Sequence, residues 1–592
     1  MSFHTLHVGA TALIAQKYAL DTTGHNIANA ATPGYTRQRL NTGANRPIPY
    51  SFGALGNGVQ VKSIQRIADE FLEKQVRLAK GTNDRLAVLQ DGYENLQVFF
   101  NELTENDIST AMDNLWDAVS DLVNNVEDIS TRRALLERGR SLANSFREID
   151  RKIYDYRLSQ NEQVRAIVGD INAMLKQIST LNQDILKIES GGVTGVTASD
   201  LRDERTELLK KLAGLMDITV TEEPNGSATV TQKSRLLVYQ NKYYELTTRR
   251  ELSDDLLIDT PVFAEDNDEV TLKDGKLYGH IYMRDTVLKG YRDMLDQLAG
   301  SFAWEFNRIH SQGVGLKGFS RLTARNAVVN PAATLDKLNY GFIAPSNTFQ
   351  IVNGNFEIIV HDERSDEEIR LNIEIDLDGR GAAAGGEDDT ILYDPLNPSA
   401  AHALVNKLQA AFDSIHPGLF TVSLDNSNHL QIVSTTEAYT FAFGRDTSGV
   451  LAALGLNVFF TGYDAGSIAL DDELADNPDL IAAARSFTPG DNSGAKALVE
   501  LRDTPVLNNR TATLQDYYEG LVGRLGIEAA RIESFKETQK DILAHMENQR
   551  EDLSGVNLDE ELTKMIQFQR SFQSAARFIS VADTIYETLI NM

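Results

Sequence analysis

Apolar positions form one long-period stripe at each end of the chain and shorter, mixed patterns in between. Leu6, Leu13, Leu20 and Ile27 recur every seven residues, with Ala10 beside them. That spacing predicts a helix carrying a single apolar stripe. The stripe stops at Thr32-Pro33-Gly34-Tyr35. Pro33 presets φ at the second turn position and Gly34 accepts positive φ at the third, so a type II turn is predicted. Residues 42–58 contain Gly and Pro and show no usable period. At the other end Leu558, Met565, Phe572, Ile579 and Tyr586 fall at sevens, and Leu562, Ala576 and Ile590 fill the alternate seam. A helix over 556–592 would be about 55 Å long.

Between the ends the period changes twice. Residues 67–190 are nearly free of proline and carry helical patterns such as Phe146, Ile149, Ile153, Tyr156 and Ile167, Ile171, Leu175, Ile178. A short helix is predicted at 201–216. Short strands are predicted at 218–220, 228–231, 236–239 and 270–282, with turn signals at Pro224-Asn225-Gly226 and Asp274-Gly275. A helix returns at 284–311. Residues 320–480 are richer in Asn, Asp, Gly and Thr and alternate in the manner of strands, around one helix at 400–412. Helices resume at 495–502 and 513–549.

The pattern therefore predicts an α+β, multidomain chain. Its parts are a terminal coiled-coil domain of 1–66 with 553–592, and a helical bundle of 67–215 with 283–319 and 485–552. A small β-rich unit at 216–282 and an inserted β-rich outer domain at 320–484 complete it. Two closures fit the ends: they pair with each other, or each packs on its own globular neighbour. The end charges fit the first weakly: residues 1–66 carry six Lys and Arg against Asp21 alone, and the last helix five acidic against three basic residues.

Composition narrows the function. At 592 residues the chain exceeds one compact core. With 42% hydrophobic residues it folds rather than remaining disordered. A net charge of −28 argues against a nucleic-acid-binding surface. The absence of cysteine removes disulfides, thiol nucleophiles and Cys-ligated metals. No apolar run is long enough to cross a bilayer, and the first twenty residues do not read as an ordinary secretory signal.

Catalytic motifs fail on context. Gly313-Val314-Gly315-Leu316-Lys317-Gly318 has dinucleotide-loop spacing but follows a helix instead of a strand. Asp376 and Asp378 suggest a calcium loop, yet its twelfth position is Gly385 where a bidentate Glu is needed. His4 and His7 lack a third ligand, and His310 reads as a capping or interface histidine. The acidic run Asp362, Glu363, Asp366, Glu367, Glu368 reads as a solvated face. Neither a catalytic site nor a cofactor is predicted.

The segments Ala19-Leu20, His25-Asn26-Ile27-Ala28-Asn29 and Thr32-Pro33-Gly34-Tyr35-Thr36-Arg37-Gln38 resemble the N-terminal signature of the flagellar axial proteins (rod, hook and hook-associated). Ser554-Gly555-Val556-Asn557-Leu558-Asp559-Glu560-Glu561, Ile566-Gln567-Phe568-Gln569-Arg570-Ser571-Phe572 and Ala576-Arg577-Phe578-Ile579-Ser580-Val581-Ala582-Asp583 resemble their C-terminal helix. Three internal stretches favour the hook-associated members that form the hook–filament junction. They are Asp203-Glu204-Arg205-Thr206-Glu207-Leu208-Leu209, His310-Ser311-Gln312-Gly313 and Phe460-Thr461-Gly462-Tyr463-Asp464-Ala465. Residues 320–455 resemble nothing that anchors them.

The resemblance implies a structural role in flagellum assembly and motility, without enzymatic activity, and export by the flagellar type III route without a cleaved leader. It implies axial assembly through Leu6, Leu13, Leu20, Asn26, Ile27, Asn29, Pro33, Gly34 and Tyr35. On the C-terminal helix it implies axial assembly and chaperone binding through Leu558, Leu562, Met565, Phe572, Ala576, Ile579 and Tyr586. The implied partners are further copies in a ring-like homo-oligomer, hook protein, hook-associated protein 3 and an export chaperone, with no nucleic acid and no membrane. Two alternatives stay open on sequence: another axial protein such as hook protein, or an adhesin or enzyme acting through 320–480 and merely anchored by its ends.

Overall fold

In the computed structural model the chain has an α+β, multidomain architecture in which long helices alternate with small antiparallel sheets. The structure describes residues 2–100, 107–190, 197–331, 333–335, 351–378, 388–391 and 403–591. The helices are α1 (Ser2–Ala28), α2 (Glu70–Phe100), α3 (Ile108–Asn124), α4 (Ile129–Glu189), α5 (Ser199–Leu215), α6 (Gly275–Tyr282) and α7 (Lys289–His310). They continue with α8 (Leu404–Ile415), α9 (Val450–Leu454), α10 (Asp472–Asp476), α11 (Ser493–Leu501), α12 (Leu514–Ser554) and α13 (Leu558–Ile590). A π-helical turn, Met283–Leu288, joins α6 to α7. Two compact units result: Met1–Tyr93 with Arg157–Arg284 and Ala529–Met592, and Glu94–Tyr156 with Asp285–Glu528.

In the first unit the apolar column Val164, Ile167, Ile171, Leu175 and Ile178 of α4 repeats at helical spacing. It packs in one buried cluster with Leu209 and Leu212 of α5 and with Val230, Leu237 and Leu277. Val230 and Leu237 come from a four-stranded antiparallel meander, Thr219–Glu222, Ala228–Gln232, Arg235–Tyr239 and Lys242–Tyr243. Val76 and Ala79 of α2 bury against Leu543 of α12.

The strand expected over 270–282 is corrected by the structure: the chain turns helical at Gly275. Val270 and Leu272 are buried two apart, which imitates a strand, and Asp274-Gly275 imitates a hairpin turn. Asp274 is instead a helix N-cap. Its carboxylate accepts from Gly275 N at 3.1 Å, Thr82 Oγ1 at 2.6 Å and Arg85 Nε at 2.9 Å. The hairpin Leu246–Ser253 with Leu256–Phe263 was not legible, because Arg249, Arg250, Glu251 and Pro261 break its alternation.

In the second unit Phe302 and Phe306 of α7 pack on Trp116 of α3, with Trp116 and Phe302 centroids 5.5 Å apart, and on Phe459 and Phe460. Two three-stranded antiparallel sheets belong to this unit. Gly354–Asp362 lies between Glu367–Ile375 and Tyr439–Asp446, and Leu430–Ser434 lies between Arg321–Thr323 and Phe420–Leu424.

Candidate assembly site at the paired chain ends

Helices α1 and α13 pair lengthwise within the first unit. Gly9 lies against Ile579 and Phe578, whereas Asn26 bonds Glu561, so the pair is antiparallel. Buried or half-buried side chains of α13 recur at alternating steps of four and three: Glu561, Met565, Phe568, Phe572, Ala575, Ile579, Ala582 and Tyr586, with half-buried Lys564 and Ser571 beside them. That is a coiled-coil seam. On α1 the matching steps fall on Ala12, Ala15, Ala19, Thr22 and Asn26, of which all but Ala12 are fully buried. Small residues let the two axes approach. At Gly9 a Cβ would stand 2.5 Å from Ile579 Cγ1, so this position admits only glycine without movement.

The expected residues distribute unevenly about this seam. Met565, Phe572, Ile579 and Tyr586 lie in it. Leu6, Leu13, Leu20 and Ile27 are half-buried and flank the small-residue row, with Leu13, Leu20 and Ile27 each one position beyond one of its members. Leu558, Leu562 and Ala576 are exposed. The alanine row escaped the sequence reading because leucine dominates a hydrophobicity count. A search for small residues at four-three spacing would have found it.

Asn26, Tyr35 and Gln38 close the far end of the pair. Asn29 N and Nδ2 both donate to His25 O, finishing α1. The predicted type II turn follows: Tyr35 N donates to Thr32 O at 3.2 Å and Gly34 adopts φ +81°. The turn returns Tyr35 to the helix it left. Asn26 Oδ1 accepts from Tyr35 OH at 2.8 Å and from Gln38 N at 3.0 Å. Asn26 Nδ2 donates to Gln38 O and to Glu561 Oε2, both at 2.9 Å. Every hydrogen-bonding capacity of this buried amide is used.

Glu561, only 2% exposed, is the anchor on α13. Besides Asn26 it receives Arg37 Nε at 3.0 Å and Lys564 Nζ at 3.1 Å, while Arg37 NH2 also reaches Glu560 at 3.1 Å. A buried carboxylate is tolerated here because it is both paired and hydrogen-bonded. Arg37 N donates to Ser554 O at 2.8 Å, and Asn557 caps α13 through Asp559 N and Glu560 N. Pro33 is exposed on the turn.

The same turn is tied to α5. Thr36 N donates to Asp203 Oδ2 at 2.8 Å, Arg66 NH1 reaches Asp203 Oδ1 at 3.0 Å, and Gln38 Nε2 donates to Asp200 at 2.7 Å. A Cβ on Gly34 would collide with Glu207. Thus the Asp203–Leu209 stretch singled out in the sequence is the socket for the N-terminal signature. Burial, then the carboxylates of Asp200, Asp203 and Glu561, push the Tyr35 phenol well above its ordinary range. It stays protonated and donates.

The other two internal stretches build the interior of the second unit. His310 is fully buried: Nδ1 donates to Asn457 O at 2.9 Å and Nε2 accepts from Ala482 N at 3.0 Å. Burial, reinforced by Arg132 and Arg485, lowers its pKa to about 4, so it is neutral. Asn307 Oδ1 accepts from Phe459 N and Phe460 N, both at 2.9 Å, and Nδ2 donates to Phe460 O at 2.7 Å. Gly313 and Gly315 press on the backbone of Asp479–Ala484, which accounts for the glycines of the dinucleotide-like loop. Of the calcium-like loop, Asp376 and Asp378 are described and Gly385 lies outside the described residues. There Asp389 Oδ2 takes Lys407 Nζ at 2.5 Å and Asp376 N at 2.8 Å. Among the described residues no group of His, Asp and Glu is placed to hold a metal, and no helix is long and apolar enough to cross a membrane.

Comparison with known proteins follows the same geography. A family model described as flagella basal body rod protein matches residues 6–36, which hold α1 and its turn. One described as flagellar basal body rod FlgEFG protein C-terminal matches 551–592. One described as flagellar hook-associated protein FlgK helical domain matches 93–322. Flagellar hook-associated protein 1 of Bacillus subtilis (strain 168) is 25% identical over 100% of this chain and 98% of its own length. That of Escherichia coli (strain K12) is 25% identical over 98% of each. A solved structure, the flagellar hook junction protein FlgK from Burkholderia pseudomallei, is 17% identical and covers 81% of this chain and 100% of its own, with a TM-score of 0.49.

The paired ends thus carry the sequence signatures of flagellar axial proteins. Within that class the chain is similar from end to end to curated flagellar hook-associated proteins 1.

Proposed function

We propose that this chain is a structural subunit of the bacterial flagellum, working at the junction between hook and filament and enabling filament assembly. The observation that carries this reading is the match over 98–100% of the chain to hook-associated proteins 1, which spans both ends and the helical middle. The paired ends supply a mechanism. Residues 1–66 with 553–592 act as the axial domain, and the small-residue seam holds α1 and α13 as one rod-like element.

That element leaves Ile14, Tyr18, Leu558, Leu562, Ile566, Val581 and Ile585 exposed. Isolated globular surfaces seldom keep so many large apolar residues on one helix pair. In the assembly they are covered by further copies in a ring-like array, by hook protein on one side and by hook-associated protein 3 on the other. Before export, a chaperone covers the α13 part of the same surface, and the chain leaves the cell by the type III route without a cleaved leader. The role is mechanical, with no reaction catalysed.

Electron microscopy of cells lacking the gene, with flagellin measured in the medium, tests the reading. Bare hooks with shed flagellin are expected. Hookless cells or intact filaments would overturn it.

A further inference from the structure

A cavity of about 260 Å³ in the first unit is lined by Arg66, Lys74, Arg77 and Arg205, with Glu70, Glu73 and Glu222 at its walls. Four cations facing three carboxylates is unusual in a chain of net charge −28. The carboxylates are also largely engaged. Glu222 Oε1 is taken by Arg202 NH1 at 2.6 Å and Arg205 NH2 at 2.7 Å. Glu73 is buried 4.0 Å from Arg550, and burial pushes its carboxyl above the usual range. Glu70 is exposed.

The cations are only partly matched in return. Arg205 is 2% exposed and pinned by Asn182 Oδ1 at 2.8 Å, Gly226 O at 2.7 Å and Glu222, yet its Nε has no partner. Arg77 is half-buried and makes no hydrogen bond or ion pair within 4.0 Å among the described residues; burial depresses its pKa, and the more distant carboxylates of Glu73, Glu70 and Glu222 offset this only in part. A desolvated guanidinium without an acceptor is costly, and proteins retain one where something else supplies the acceptor. Arg66 is held at the margin by Asp203, and Lys74 is exposed and unpaired.

We propose that this cavity binds one small tetrahedral oxyanion of the phosphate or sulfate class, held by Arg77 and Arg205 with Arg66 and Lys74 at its edge. Guanidinium forks match such oxygens in pairs. At about 30 Å³ per water the cavity admits the ion together with several waters. The ion would tie α2, α5 and the strand Ala228–Gln232, which all contribute to the lining.

The test is calorimetric titration of the full chain with inorganic phosphate, in chloride buffer of matched ionic strength, for wild type, Arg77→Met, Arg77→Lys and the surface control Arg445→Met. One phosphate per chain is expected, with affinity at least tenfold weaker in R77M, intermediate in R77K and unchanged in R445M. Thermal midpoints supply a second readout. In chloride R77M melts at or above wild type because a desolvated guanidinium without an acceptor is gone, and in phosphate wild type overtakes it. Absence of binding heat in wild type overturns the proposal. So does a phosphate increment equal in wild type and R77M, the mark of a general solvent effect. If R77M does not fold, unchanged affinity in R77K overturns it.

Discussion

Replacing Asn26 by Ala tests whether the turn after α1 locks the terminal pair. The change removes four hydrogen bonds and strands the other half of each. Gln38 N and O are buried beside the amide, and Tyr35 OH loses the acceptor to which it donates. Glu561 keeps Arg37 and Lys564, so its loss is partial. At about 1–3 kcal/mol for each buried group left unpaired, with water relieving part of it, the loss is about 3–5 kcal/mol. Hydrogen exchange of the full-length chain, read on 2–28 and 558–590, is the direct assay, because local opening is what the bonds resist. Amides there should exchange about a hundredfold or more faster in N26A, up to the limit set by the pair's own stability. Ile14→Ala, at an exposed position of the same helix, should leave them unchanged. Protection in N26A within threefold of wild type would refute the argument, since the seam alone would then be holding the ends.

Gly9→Val places a Cβ into Ile579 and should destabilise the pair by about 1–3 kcal/mol, with Ile579→Ala in the same chain restoring part of the lost exchange protection. His310 has a folded pKa near 4, below its unfolded value, so the unfolded state takes up the proton first and stability falls as pH drops from about 6.5 to 4. The loss attributable to it is about 3 kcal/mol. His310→Gln should flatten that slope in a fluorescence-monitored acid titration, both tryptophans being in the second unit. Phe572→Asp puts a charge into the α1–α13 seam; it should leave both tryptophans' emission unchanged and abolish incorporation into flagella, and normal incorporation would count against the terminal pair as the assembly element.

The sequence made the terminal helices legible because their heptads are long and uninterrupted, and the turn because Pro33-Gly34 admits few conformations. What it concealed follows from two physical facts. Burial in a close-packed helix pair selects for size as well as hydrophobicity, so Ala15 and Ala19 sit deeper than Leu13 and Leu20. Period-two burial over three residues does not distinguish a strand from the lead-in to a capped helix, which is how Val270, Leu272 and Asp274 misled at 270–282. The socket formed by Asp203 with Thr36 and Arg66 joins residues far apart in sequence, and no local pattern carries that information.

Seam and turn divide the work of holding the ends, and the division is directional. The α1 side of the seam is mostly alanine, each burying only about one methyl group's worth of area at ~0.8 kcal/mol. The larger apolar residues Leu558, Leu562, Ile566, Val581 and Ile585 contribute little in a single chain, since they point to solvent. Charge-assisted and fully paired hydrogen bonds are confined to the end where Asn26 meets Glu561. No ion pair or interhelical hydrogen bond secures the end where Gly9 meets Ile579, among the described residues. The pair should therefore open from the Gly9 end, with amides near 9 and 579 exchanging before those near 26 and 561. Equal protection along both helices would show that the seam is stronger than its residue sizes allow. A gradient that vanished on assembly would place the missing stabilisation in the neighbours that cover the exposed face.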